Sequence, residues 1–155
     1  GPAETRYPEV TSLAALRWTQ LGGDPAQALQ WLWPQWSAWL AQPETWSDIQ
    51  RQNLCLAMAL IFKRMNPDVI WLQRLEQAVQ LRPQLAELHF LAGCVFVQHQ
   101  LWGKAQQMLE RAAPKLSQAQ LRRQAWCELA DLAAKRNDAS EAARCWKNAA
   151  QVQTF

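Results

Sequence analysis

The sequence predicts an all-α protein of about eight helices paired in four helix-turn-helix hairpins. Three observations predict it. Glycine is scarce, at 5 of 155 residues, while Ala, Leu and Gln are abundant; strong helix formers with few tight turns favour helices over strands. Apolar residues recur at spacings of three and four rather than two. Short clusters of Pro, Gly, Asn and Asp cut the chain at intervals suited to short helices. Half of the residues are hydrophobic, enough at this length for one domain with a true core.

The first helix spans Tyr7 to Leu21, with Leu13, Leu16, Trp18 and Leu21 apolar. Gly22-Gly23-Asp24-Pro25 ends it and starts the next: Gly for the left-handed stop, Asp for the N-cap, Pro for the first turn. The second helix, 26–42, places Leu29, Leu32, Trp36 and Trp39 on one stripe and Trp33 off it. Pro34 should kink or split it. After Gln42-Pro43, Ser47 or Thr45 caps a third helix, Asp48 to Met65, with Leu54, Met58, Ile61, Phe62 and Met65 inward. Asn66-Pro67-Asp68 is a stop and restart, and the fourth helix, Val69 to Leu81, ends before Pro83. Helices follow at Leu85–His99 and Leu101–Ala113, the latter closed by Pro114. Ser117 with Gln120 forms a capping box for a helix running to Arg136. Asn137-Asp138 is the last turn, with Asp138 and Glu141 as a second cap pair before a helix from Ala139 to about Val152.

Composition excludes several classes. A net charge of +3 with scattered Lys and Arg argues against a nucleic-acid partner. Cys55, Cys94, Cys127 and Cys145 lack C-x-x-C spacing and read as small buried hydrophobes of a reducing compartment. No apolar run reaches membrane-spanning length. No catalytic order of Ser, His and Asp, no metal cluster and no phosphate loop appears, so no catalytic, cofactor or metal residue is expected. Gly1-Pro2 reads as the remnant of a cleaved tag, which predicts a disordered start over 1–6 and a longer parent protein.

The hairpins align on one another. Ala28, Trp71, Ala105 and Ala142 hold matching places in the second helices, spaced by 43, 34 and 37 residues. In QLWGKAQQMLERAA, Gly103, Ala105 and Ala112 lie among Leu101, Met108 and Leu109, so a neighbouring helix can approach closely. Gly93, Phe96, Trp102, Ala105, Leu109 and Ala112 in the third unit resemble the tetratricopeptide repeat consensus, as do Trp126, Leu129, Ala130, Ala142, Trp146 and Ala149 in the fourth. That resemblance implies a right-handed superhelix of four units, 7–41, 47–82, 84–113 and 118–152, in one domain 7–152 with a frayed tail 153–155.

Within that class, QLWGKAQQMLERAA and the later AWCELADLAAKRNDASEAARCWKNAAQ resemble the C-terminal region of the bacterial HemY family. The resemblance covers residues 68–151 and implies a Gram-negative inner-membrane protein associated with late haem synthesis. It implies an anchor outside this chain, a soluble segment on the cytoplasmic side, and haem-pathway enzymes as partners. A generic adaptor in envelope assembly and a direct haem- or porphyrin-binding protein are the alternatives.

Three sets of residues are candidates for binding. First helices should line a concave groove with Arg17, Gln20, Asn53, Lys63, Arg64, Glu87, Phe90, Gln98, Gln124, Asp131 and Lys135, where the cations would meet carboxylates of a peptide partner. Trp31, Trp33 and Trp36 could form an exposed aromatic patch, although Trp36 with Trp39 also suits the core. His89 should be half-buried and His99 could reach outward at the end of its helix, but ten residues apart they make a poor chelate.

Because Ala105 and Ala142 hold close helix contacts in this register, Ala105→Trp or Ala142→Trp should unfold its hairpin by overpacking. A thermal melt checks this; an unchanged midpoint would refute the register.

Overall fold

The computed structural model describes residues 8–153. The expected start at 1–6, the helix onset at Tyr7 and the last two residues of the tail lie outside them. The described residues form eight α-helices, one 3-10 turn (Pro43–Thr45) and no strand. The helices are α1 (Pro8–Gln20), α2 (Pro25–Ala41), α3 (Asp48–Arg64), α4 (Val69–Leu81), α5 (Ala86–Gln98), α6 (Trp102–Ala112), α7 (Ala119–Lys135) and α8 (Ala139–Gln151).

Most helix ends follow the local code. Asp24 caps α2 by accepting from Ala26 N at 3.1 Å, and Pro25 opens the helix. Ser47 and Gln50 make a reciprocal capping box on α3, at 3.2 and 2.9 Å. Asp138 accepts from Glu141 N at 3.1 Å to start α8. One local expectation fails and another is narrowed. At α7 the cap is Gln118, whose side chain accepts from Leu121 N at 2.7 Å, instead of Ser117. The helix starts one residue later than expected, so its third donor is Leu121 N rather than Gln120 N, and the Gln118 amide satisfies it. Of the two outcomes expected at Pro34, a kink or a split, the split does not occur: α2 continues through it as one helix. Its flanking residues Leu32, Gln35, Trp36 and Trp39 are all buried, so packing holds both halves in one helix.

Three joints share one device. Gly22 (φ 89°), Gln100 (φ 59°) and Asn137 (φ 62°) are left-handed. After each, the next residue's N–H reaches back five positions: Gly23 to Trp18 O at 2.8 Å, Leu101 to Phe96 O at 2.9 Å, and Asp138 to Ala133 O at 2.9 Å. This is the Schellman pattern, which satisfies end carbonyls and turns the chain sharply. Gln100 and Asn137 are 37 residues apart, the same step as Ala105 to Ala142. Sequence reading missed Gln100, because Gln carries no left-handed signal.

The chain falls into two compact units that divide after Asp68. The boundary lies inside the expected 47–82 pair, so α3 groups with the first unit and α4 with the second. In the first unit α1, α2 and α3 pack on one another. Its buried side chains include Leu32, Trp36, Trp39, Leu54, Met58 and Phe62. Gln35 is also fully buried, and its amide makes no hydrogen bond to another described residue. In the second unit α4 packs on α5, α5 on α6, α6 on α7 and α7 on α8.

Small residues set the closeness of those contacts. A Cβ at Gly93 of α5 would fall 2.7 Å from Leu109 Cγ of α6. Ala105, Ala112 and Ala149 are buried as expected, and Ala142 nearly so at 8% exposure. Gly103 is different: a Cβ there would meet nothing within 4 Å, so it makes no close approach. Gly93→Ala should therefore destabilise by about 1–3 kcal/mol through overpacking. Gly103→Ala should be neutral or stabilising by up to about 1 kcal/mol through helix propensity. Denaturant melts of the two variants check the pair, and equal losses would contradict the geometry.

Candidate binding surfaces

In the second unit, Val97 of α5 and Glu128, Asp131, Leu132, Ala134 and Lys135 of α7 line an open cleft of about 480 Å³. The two helices are the first members of their hairpins, which is where sequence reasoning placed a groove. Asp131 and Lys135 are exposed, while Gln98, Gln124 and Glu128 are half-buried. Lys135 Nζ lies 5.2 Å from the Trp102 ring centroid, which holds the ammonium at the helix end. Arg136 donates to Gln106 Oε1 at 3.4 Å and pairs with Asp138 at 3.7 Å. The cleft thus joins an apolar floor to carboxylates and an ammonium at its rim.

Two predicted groove residues are not available to a ligand. Phe90 is fully buried and Glu87 is 8% exposed. The apolar character of α5, buried from Glu87 to Phe96, draws both inward. The remaining predicted residues lie in the first unit. Arg17, Gln20, Lys63 and Arg64 are exposed there and Asn53 is half-buried. Arg64 donates to Thr19 O at 3.3 Å and so ties the end of α3 to the end of α1.

The aromatic patch is also redrawn. Trp36 is 2% exposed and packs edge-on against fully buried Trp39, with ring centroids 6.0 Å apart. Its place on the buried stripe of α2 decides this, so it leaves the patch. Trp31 and Trp33 are exposed at 37% and 41%. The member that sequence reasoning missed is Trp18 of α1. It packs edge-on against Trp31 at 5.3 Å and donates Nε1–H to Asp24 O at 2.9 Å. Gly23 was the available signal: a Cβ there would fall 2.2 Å from the Trp18 ring. Trp102 and Trp146, expected as packing residues, are 40% and 46% exposed, and Trp126 is half-buried under Arg144 at 5.6 Å.

The histidines do not form a ligand pair. His89 is 5% exposed, and its Nδ1–H donates to Leu85 O at 3.2 Å. His99 caps the end of α5 with its Nε2 closed off from solvent rather than reaching outward. Among the described residues no group of three or more His, Cys, Asp or Glu is placed to hold a metal ion. Four cysteines are free, three of them buried.

These features define an all-α protein. No helix among the described residues is long and apolar enough to cross a membrane. Compared with models of known protein families, with characterised proteins and with solved structures, the chain gives no match.

Burial holds the His89 imidazole below its ordinary value of 6.5, and the charges of Arg111 and Lys115 push the same way against the Leu85 hydrogen bond. The unfolded chain takes up that proton near 6.5, while the folded chain takes it up only at lower pH. The unfolded state therefore binds more protons in between, and stability falls as pH drops below 6.5. Melts across that window should show a weaker pH dependence in His89→Gln than in the native chain.

Proposed function

We propose that this chain is a non-catalytic scaffold for protein–protein interaction, built as a right-handed superhelical stack of tetratricopeptide-like hairpins. The observation that carries it is the open cleft between the first helices α5 and α7. Val97 and Leu132 offer an apolar seat, and Glu128, Asp131 and Lys135 offer charges of both signs beside it. A peptide segment with an apolar residue flanked by a cation fits such a surface better than a small substrate does. The repeated left-handed joints and the 37-residue step support the repeat reading. The buried ring of His89 and the closed-off Nε2 of His99 favour a scaffold over a haem-binding protein. Membership in a HemY-like group, with partners in late haem synthesis at the inner membrane, rests on the sequence resemblance alone.

Capture of partners from a Gram-negative lysate tests both levels. Asp131→Lys, at an exposed position, should remove partners that the native chain retains. An unchanged captured set would refute the α5–α7 cleft as the binding surface. Recovery of no haem-pathway enzyme would refute the HemY-like placement while leaving the scaffold reading intact.

A further inference from the structure

The second unit carries another cleft, built by α4, α5 and α6 and open to solvent, of about 370 Å³. It uses α4 and α6 rather than α7, and so differs from the α5–α7 cleft. Its floor is apolar: Val79, Ala92, Phe96 and Met108. Glu76 and Lys104 meet at its edge at 3.5 Å, and Lys104 also lies 5.9 Å from the Phe96 ring centroid. The Lys104 charge is therefore matched.

Arg111 is not matched. It lines the same cleft two turns along α6 from Lys104, roughly 10 Å away. It is exposed and makes no hydrogen bond, ion pair or ring contact with the described residues. Its charge is felt inside the unit, because it helps to hold His89 below its ordinary value together with Lys115. An apolar floor with one surplus guanidinium at the rim is complementary to an apolar side chain followed by a carboxylate. A nucleic acid needs several cations along its backbone, and here Glu76 cancels one of two.

We propose that the α4–α6 cleft docks an acidic, apolar-anchored peptide segment of a partner protein, with the anchor on the half-buried Met108 and a carboxylate on Arg111. This surface is separate from the scaffold groove and gives the chain a second, charge-selective contact. The bidentate guanidinium reads the carboxylate, and the apolar floor supplies the contact area.

The test uses two terminally blocked helical peptides, one of Leu and Glu at alternating helical faces and one with every Glu replaced by Lys. The Glu peptide should bind with a Kd of about 10–100 μM and shift amide resonances of α4 to α6. Binding should weaken about tenfold in Arg111→Glu, less in Arg111→Lys, and should fall with added salt. The His89 ring should titrate at higher pH in the complex, because the bound carboxylate offsets Arg111. Asp131→Lys should leave this binding unchanged, which separates it from the α5–α7 cleft. Equal binding of the two peptides, undiminished binding in Arg111→Glu, or no resonance shifts at about 1 mM peptide would each overturn the proposal.

Discussion

The hydrogen bond that reaches back five residues over a left-handed joint is the constraint on which the hairpins depend. It occurs at Gly23 to Trp18, Leu101 to Phe96 and Asp138 to Ala133. Each closes a helix with satisfied carbonyls and returns the chain at once. The next helix then has no slack, so it lies along the one before it. The division into compact units falls after Asp68, at a joint without this bond; the joints α2–α3, α4–α5 and α6–α7 also lack it, and there the helices still pack on one another. The chain pays a conformational cost for two of the three joints, because Gln100 and Asn137 are not glycine.

Given such joints, side-chain size decides how the helices meet. Gly93 lets α5 close on Leu109 of α6, and Ala105 and Ala112 keep the facing surface flat. The first unit reaches the same end with large groups. Trp36 and Trp39 fill the space that small residues leave empty elsewhere, and Trp18 folds over the bare backbone of Gly23. Both solutions give close packing, but only the first repeats at a fixed step. Size complementarity rather than residue identity is what the core requires.

The surface is organised by aromatic rings carrying cations. Lys135 lies over Trp102, Arg144 over Trp126, Lys104 over Phe96 and Arg74 over Trp71. Each contact contributes only about 0.5–1 kcal/mol at an exposed site. Their larger effect is to fix long, mobile side chains in place. Lys135 and Lys104 are thereby held at the edges of the two clefts, and Arg111 is the cation left over.

By itself the sequence determined the local features. Helix α4 ends where Pro83 requires, Asp24 and Ser47 cap their helices, and the small positions from Ala105 to Ala149 are buried as their spacing demands. These depend on neighbours within a few residues, so the order of residues suffices to read them. Only the tertiary structure decided which helices share a unit. It also decided that Phe90, Glu87 and Trp36 turn inward while Trp102 and Trp146 stay half in water. The same holds for the two clefts, which join residues from helices far apart in sequence. Periodicity gives each residue a face on its own helix, but the identity of whatever covers that face is set by chain closure elsewhere. That is why the elements were legible and the binding surfaces were legible only in part.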